Sequence, residues 1–136
     1  MSIKQIFLQQ IENFVTELAT IFPKSGDILL LKEKFFFIKS YNSVFIIEYF
    51  IQHIYPLKHQ IIVKNEEFFL NGGGQEEIAN DPHSLNFRDN IKRLWISDMS
   101  DENKEIMWKY FKTFIILTEK YVIENTNGSS FSSSAN

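Results

Sequence analysis

Histidine is the residue of this chain best suited to metal ligation or proton transfer near neutral pH, and three are present: His53, His59 and His83. His53 and His59 lie about one and a half helical turns apart across Pro56, so the two imidazoles need not share a helix face. A metal site on this pair would need a third ligand, for which Glu48 is a candidate. We predict instead that His53 is a partly buried helix residue, that His59 lies at the surface and that the chain binds no metal.

Acidic residues occur as two adjacent pairs, Glu66-Glu67 and Glu76-Glu77. The alternating oxygen ligands of a calcium loop are absent, and adjacent glutamates rarely aim at one ion, so a solvated acidic loop is the better interpretation. The glycines at 72–74 lack the GK[ST] that completes a phosphate-binding loop. Because the chain has no cysteine, it has neither a thiol nucleophile nor a thiolate zinc site. We therefore predict no catalytic residue, no cofactor and no enzymatic activity.

A group of lysines lies next to the aromatic run at residues 35–37, and basic residues beside aromatics are typical of proteins that bind single-stranded nucleic acid. Asp27 and Glu33 lie among these lysines, however. The chain also carries a net charge of -3, whereas nucleic-acid binding needs a basic surface. Lysines that border a buried helix are the simpler interpretation. Nucleic-acid binding is kept as the alternative function, and its candidate residues are Lys24, Lys32, Lys34 and Lys39.

The segment Phe68-Phe69-Leu70 is the first candidate for partner binding; it follows Glu66-Glu67 and precedes the glycine run. In one interpretation its rings fold back as a small cap on the core. In the other they dock into the groove of a partner protein, and the two acids attract a basic surface. The partner would be another protein or a second copy of the chain, so a homo-oligomer is one expected outcome.

Trp108 is the second candidate for partner binding. It lies next to Lys109 and off the main apolar stripe of its predicted helix, which indicates partial exposure. The alternative, which we favour, is that Trp95 and Trp108 pack in the core between the last two helices.

The composition favours a single helical domain. With 136 residues, 44% of them hydrophobic, and 14 phenylalanines, the chain can bury an adequate core, since large rings carry much apolar area per residue. Lys32, Lys39 and Glu48 end three of the longest apolar runs, and no run approaches the roughly 20 residues of a membrane helix. No charged-then-apolar signal segment opens the chain. We predict an all-α fold, a single compact bundle-like domain of five to six helices over residues 1–124.

The two ends of this domain show the clearest helical patterns. Ser2 and Gln5 form a predicted capping box for a first helix, and Pro23 ends it. Ser100 caps a last helix, in which apolar residues recur at steps of three and four. The buried stripe of this last helix is predicted to contain Ile106, Tyr110, Phe114, Leu117 and Tyr121.

Residues 28–55 are ambiguous between helix and strand. The part from 28 to 41 is apolar nearly all round, which fits a buried helix capped by Asp27, but aromatic residues and isoleucine also favour a β-hairpin. Asn42-Ser43 offers a cap for a second helix. We favour helices for both parts, because no Asn-Gly or Asp-Gly hairpin turn joins them, and expect them to pack between the first and last helices. Pro56 opens a further short helix that reaches about Val63.

Two segments are expected to lie outside this regular structure. Residues 65–81 carry five acidic residues with no lysine or arginine, and we predict a flexible, acidic, Gly-rich connector there. A helix with Phe87, Ile91, Leu94 and Trp95 follows it. Residues 125–136 are rich in serine and asparagine and predict a disordered tail, because this composition cannot bury enough apolar surface.

Four stretches in order resemble a largely uncharacterised family of short helical proteins encoded by nucleocytoplasmic large DNA viruses. They are residues 44–56 (VFIIEYFIQHIYP), 65–71 (NEEFFLN), 92–95 (KRLW) and 100–112 (SDENKEIMWKYFK). The resemblance covers about two thirds of the chain, and the glycines at 72–74 depart from it. It implies a viral origin and an all-helical fold and transfers no catalytic residue.

From these observations we expect a non-enzymatic interaction or structural protein of a large DNA virus. It would act through an aromatic surface, by self-association or by docking to a partner. The expected location is intracellular: the host cytoplasm, the viral factory or the virion. A helical decoy of a host regulator is a further alternative, which the size and helicity of the chain allow.

Overall fold

The computed structural model describes the backbone of residues 2–70, 92, 95 and 99–134, and the side chains of residues 2–69, 92, 95 and 99–125. A 3₁₀ turn, Tyr55–Leu57, joins the third and fourth helices. In these ranges there is no strand, so the all-α prediction is confirmed and the hairpin alternative for residues 28–55 is wrong. The helices are α1 (Ile3–Ile21), α2 (Gly26–Tyr41), α3 (Ser43–Ile54), α4 (Lys58–Ile62), α5 (Glu66–Leu70) and α6 (Asp101–Ser134).

Side-chain caps define where α1 and α6 begin. The Ser2 hydroxyl accepts a hydrogen bond from the backbone N–H of Gln5 at 3.1 Å, and the Gln5 side chain accepts one from the N–H of Ser2 at 2.9 Å. The backbone N–H of Asn103 donates to the Ser100 hydroxyl at 3.1 Å. Both predicted caps are confirmed, because each satisfies N–H groups that the first helical turn leaves without a partner.

The start of α2 differs from the prediction by two residues. Its N-cap is Ser25, whose hydroxyl accepts a hydrogen bond from the N–H of Ile28 at 3.3 Å, so the assignment of the cap to Asp27 is wrong. Asp27 lies instead in the first turn, where a negative charge interacts favourably with the helix dipole. The predicted cap of α3 is confirmed, since the Asn42 side chain accepts from the N–H of Phe45 at 3.1 Å.

The end of α4 is a Schellman motif, which turns the chain sharply into α5. The N–H of Asn65 donates to the carbonyl of Gln60 at 2.8 Å, and the N–H of Lys64 donates to the carbonyl of Ile61 at 3.1 Å. Lys64 has a φ of 54°, the left-handed conformation that this motif requires and that glycine adopts most easily. The turn directs α5 back onto α6.

The packing order of the helices differs from the expected one. α1 packs directly along α6, and α3 contacts both of them. α2 packs on α1 and α3, with one stripe of buried residues and the opposite side open to solvent. The prediction that residues 28–54 lie between the first and last helices is therefore wrong, because those two helices pack directly on each other and α3 lies against both. A helix with apolar residues on two sides can bury either one, and the neighbouring helices decide which.

Phe114 lies at the centre of the core and contacts three rings from two other helices of the bundle. Its ring centroid lies 5.2 Å from that of Phe50, 5.5 Å from that of Phe14 and 6.2 Å from that of Phe7. Phe114, Phe14 and Phe7 are fully buried. This cluster joins α1, α3 and α6 and supplies the stacked and edge-to-face contacts that aromatic pairs prefer.

The helix α6 continues to Ser134, and its last turns include residues that the composition assigns to a disordered tail. A helix can extend past its last packed turn because each added residue forms one further backbone hydrogen bond. The disordered tail expected for residues 125–136 stays a prediction, although the described backbone is helical as far as Ser134. No helix among the described residues combines the length and apolar character needed to cross a bilayer.

We expect the substitution Thr118→Val to stabilise the protein by about 1 kcal/mol. The Thr118 side chain is 1% exposed, and its hydroxyl makes no hydrogen bond within the described part of the chain. Valine has the same shape and removes the cost of burying that hydroxyl. Urea unfolding measures the change, with Thr113→Val as the control, because the Thr113 hydroxyl donates to the Lys109 carbonyl at 2.9 Å. A loss of stability in Thr118→Val would show that the hydroxyl is satisfied.

Candidate functional site

Five large apolar side chains that are exposed to solvent lie on the side of α2 away from the core, and a sixth lies in the first turn of α3. Their exposed fractions range from 36% to 69%, with Phe37 at 69% and Tyr41 at 66%. We refer to them together as the outer apolar face. They are Leu29, Leu30, Phe36, Phe37, Tyr41 and Val44.

The spacing of the five α2 residues places them on one side of that helix. Leu29 and Phe36 are seven residues apart, and so are Leu30 and Phe37, while Tyr41 follows Phe37 by four. Such intervals bring side chains onto the same helix face, and at about 100° per residue the outer apolar face spans an arc of about 140°. The Phe37 and Tyr41 rings make an edge-to-face contact with centroids 5.2 Å apart. The opposite side of α2 is buried through Ile28, Leu31 and Phe35.

The area of the outer apolar face is large for a chain of this size. Taking roughly 200 Å² for each large side chain, the exposed fractions leave about 600 Å² of apolar surface open to solvent. The largest apolar patch on a typical monomeric protein measures about 300–600 Å², and patches at the upper end usually mark an interaction site. The outer apolar face is therefore the strongest candidate interaction surface among the described residues.

The lysines of the nucleic-acid alternative do not form one patch. The Lys39 ammonium is 2.8 Å from the Glu12 carboxylate and lies over the Phe35 ring, so its charge is already engaged within the fold. Lys32 and Lys34 are two positions apart on α2, which places them on nearly opposite edges of the outer apolar face. Lys24 lies in the turn before the helix. Glu33 lies between the two edges, so the face is apolar with mixed charges rather than basic.

The segment Phe68-Phe69-Leu70 is part of the short helix α5, which contrasts with the flexible connector predicted for residues 65–81. The Asn65 side chain accepts a hydrogen bond from the N–H of Phe68 at 3.1 Å and so caps this helix. Phe68 and Phe69 are half-buried and pack against the core. The side chain of Leu70 and residues 71–81, including Glu76-Glu77, lie outside the described residues.

Trp108 is buried, with 4% of its surface exposed, so the partial exposure expected from its position on the helix is wrong. Its ring centroid lies 5.1 Å from that of Trp95 and 6.0 Å from that of Phe69. Trp95 is buried as well, which agrees with the favoured prediction of core packing for both tryptophans. We call Phe68, Phe69, Trp95 and Trp108 the aromatic cap.

The acids next to the aromatic cap have local cationic neighbours. Glu66 lies 3.6 Å from the Lys104 ammonium, and this ammonium is 5.7 Å from the centre of the Trp95 ring. Glu105, one residue further along α6, pairs with Lys64 at 2.7 Å. Glu66 can therefore hold α5 against α6, while Glu67 is exposed. The cap is joined to the bundle by both apolar and ionic contacts.

The candidate metal ligands do not come together. His53 is half-buried with its ring centroid 4.4 Å from that of Tyr49, and His59 and Glu48 are exposed. In the described ranges no group of three or more histidine, aspartate and glutamate side chains could hold a metal ion. His83 lies outside those ranges.

A polar cluster of three side chains joins the 3₁₀ turn and α4 to α6. The Tyr55 hydroxyl donates to the Glu119 carboxylate at 3.0 Å, and the Lys58 ammonium donates to the same oxygen. The hydrogen bond from Lys58, together with that from Tyr55, lowers the pKa of Glu119. The bond to Glu119 raises the pKa values of Tyr55 and Lys58. The three side chains are half-buried, and the cluster connects the 3₁₀ turn and α4 to α6.

This cluster predicts a pH dependence of stability. A carboxylate whose pKa is lower in the folded state contributes stability above the ordinary glutamate pKa of about 4.3, and the contribution is lost as pH falls through the lower folded-state value. The stability difference between the wild type and Glu119→Gln should therefore be larger at neutral pH than below that window. Urea unfolding at several pH values measures it, with Glu124→Gln, an exposed glutamate of the same helix, as control. An equal difference at every pH would contradict the assignment.

Comparisons with family models, curated proteins and solved structures find no match to this chain. The resemblance to a viral protein family stays a prediction that depends on four stretches of sequence.

Sequence reasoning did not single out the outer apolar face. The signal was present as a second apolar stripe in residues 29–44, at spacings of four and seven. The core-facing stripe of the same helix is equally apolar, so both sides were expected to be buried. The candidates chosen instead, Phe69 and Trp108, lie against the core.

Proposed function

We propose that this protein is a non-enzymatic interaction or structural protein whose working surface is the outer apolar face. The observation that carries the proposal is the exposure of five large apolar side chains on one side of α2, next to exposed Val44 in the first turn of α3. Leaving such side chains in water costs about 1.5–3 kcal/mol each relative to burial, so the face gains free energy when another surface covers it. Phe37 and Tyr41 are of the residue types that contribute most to protein interfaces.

The binding function is favoured over the nucleic-acid alternative by the charges around the face. A surface for nucleic acid needs free cations that can neutralise several phosphates. Here Lys39 is engaged by Glu12, and Glu33 lies on the face between Lys32 and Lys34. Apolar contact with a protein can therefore contribute more binding free energy at this face than ionic contact with phosphates.

Site-specific photo-crosslinking in the cells that naturally express the protein tests this proposal. A photoreactive phenylalanine derivative replaces Phe37 in one variant and Ile116 in a control variant. Ile116 is 53% exposed and lies on α6, outside the outer apolar face. We expect the Phe37 position to form a discrete protein adduct and the Ile116 position to form none. Equal labelling from both positions, or none from Phe37, would contradict the proposal.

The viral origin implied by the sequence resemblance is retained as part of the proposal. In that setting the protein would act inside the infected cell, in the host cytoplasm, the viral factory or the virion. The crosslinked partner, identified by mass spectrometry, would assign it to one of these locations.

A further inference from the structure

We infer that the outer apolar face is the contact surface of an antiparallel, two-fold symmetric homodimer of this chain. The inference rests on the proposed function and names the occupant of its surface. Three observations carry it: the apolar area of the face, the position of Glu33 within it and the position of Lys34 at one of its edges.

The area matches what a specific dimer needs. Pairing two copies of the face would cover about 1,200 Å² of apolar surface, counting both copies. Specific protein interfaces bury about 1,200–2,000 Å² in total, including their polar rim, and the fully buried part is mostly apolar. Complete coverage of the face in both copies therefore reaches the lower end of this range without any further element of the bundle.

The position of Glu33 selects an antiparallel arrangement. Glu33 lies within the outer apolar face, one turn before Phe36 and Phe37. In a parallel pair in register, the two Glu33 carboxylates would face each other in the middle of an apolar seam, and like charges there are costly. In an antiparallel pair centred midway between Leu29 and Tyr41, Glu33 lies opposite Phe37 of the second copy.

The antiparallel arrangement also gives Glu33 a counter-charge. At 1.5 Å of rise per residue, Lys34 of the second copy lies about 4.5 Å along the helix axis from Glu33, within reach of a lysine side chain. The symmetric contact forms a second time on the other side of the dyad. The antiparallel pair also aligns the two helix dipoles favourably.

The same features disfavour an anionic membrane as the occupant. A membrane surface would attract Lys32 and Lys34, but it would also have to bury Glu33 without a counter-charge. A second copy supplies that counter-charge at a fixed position, whereas the net negative charge of an anionic lipid surface repels the carboxylate.

Sedimentation velocity on the purified full chain gives the first test. We expect a concentration-dependent monomer–dimer equilibrium. Phe37→Asp should weaken dimerisation at least about a hundredfold, because the change enters the symmetric interface twice. Ile116→Asp carries the same kind of change on α6 and should leave the equilibrium unchanged. Circular dichroism on both variants checks that the fold is retained. A chain that stays monomeric, or a Phe37→Asp variant that dimerises normally, would overturn the inference.

Charge exchange tests the role assigned to Glu33. Glu33→Lys and Lys34→Glu should each weaken the dimer, because each brings like charges together across the interface. The double variant Glu33→Lys/Lys34→Glu should recover most of the affinity. Failure of the double variant to recover would overturn the contact between Glu33 and Lys34 of the second copy.

Disulfide trapping tests the antiparallel direction on a background that has no native cysteine. In the antiparallel pair, position 29 of one copy lies at nearly the same height along the helix axis as position 40 of the other copy. Both positions are on the same edge of the face, so Leu29→Cys and Ser40→Cys can meet. Two copies of position 29 would be about 18 Å apart along the axis, well beyond the Cα separation of a disulfide. Mild oxidation should therefore crosslink a mixture of the two variants and leave Leu29→Cys alone uncrosslinked. Efficient crosslinking of Leu29→Cys alone would overturn the antiparallel direction.

These tests separate the failure of the dimer from the failure of the proposed function. A monomeric chain that still crosslinks from Phe37 to another protein in cells would overturn the dimer and leave the interaction function intact. A different result would be a monomeric chain that sediments with vesicles of anionic phospholipid and stops doing so in the Phe37→Asp variant. That result would overturn the dimer in favour of a membrane surface. If the chain forms no dimer, gives no crosslinked adduct and does not bind vesicles, both proposals are overturned.

Discussion

Replacing Phe114 by alanine is expected to destabilise the protein by about 3–5 kcal/mol. Phe114 is fully buried, and its ring lies between Phe50, Phe14 and Phe7. The substitution removes both the transfer free energy of the ring and the contacts of three aromatic neighbours, and it leaves a cavity where three helices meet. Urea unfolding followed by far-UV circular dichroism measures the loss.

The matched control for this change is Phe37→Ala, the same chemical truncation at a side chain that is 69% exposed. We expect the control to change the stability of the monomer by about 0.5 kcal/mol or less, when the protein is dilute enough to exclude association. Because a small domain has only about 5–15 kcal/mol of stability, Phe114→Leu serves as a milder variant if the alanine form does not fold. Equal effects at the two positions would contradict the packing described for α6.

Replacing Trp108 by alanine is expected to cost about 3–5 kcal/mol as well, through the loss of the aromatic cap. The indole is buried against Trp95, Phe69 and Phe111. Removing it takes away the surface on which α5 packs. We therefore expect Phe69→Ala to destabilise the Trp108→Ala protein less than it destabilises the wild type. A double-mutant cycle should give a coupling of about 0.5–1.5 kcal/mol for the ring pair.

The chain contains two tryptophans, so Trp108→Phe leaves Trp95 as a single fluorescent reporter of the cap. We expect its fluorescence transition in urea to coincide with the loss of helical circular dichroism, which would show that the cap unfolds together with the bundle. An earlier fluorescence transition, or a coupling of zero between Phe69 and Trp108, would mean that the cap opens independently. The docking interpretation of Phe68 and Phe69 would then regain support.

The helix ends were the part of the fold that local sequence predicted best. Ser2 with Gln5, Asn42 and Ser100 are caps whose chemistry involves only the next three residues, so no distant contact is needed to recognise them. Pro23 ended α1 for a similarly local reason, since α1 ends at Ile21, just before it. The assignment of the α2 cap to Asp27 failed because Ser25 and Asp27 are both good N-cap residues two positions apart.

The interaction surface was less predictable, because burial depends on neighbours that are distant in sequence. Trp108 lies off the main apolar stripe of its helix and was therefore expected to be partly exposed, yet Phe69 of α5 and Trp95 cover it. Phe36 and Phe37 looked buried by their composition, yet no helix among the described residues covers that side of α2. Hydrophobic periodicity reports how many sides of a helix are apolar, and it does not report which side has a neighbour.

The sequence by itself thus determined the helical class, most of the helix starts and the absence of any thiol chemistry, because these depend on residue identity and on contacts within one turn. Only the tertiary structure decided that α1 packs directly on α6, that α5 closes over Trp108 and that α2 lies on the outside with one apolar side uncovered. The physical reason is that burial needs two surfaces in contact, and the sequence of one helix describes only one of them.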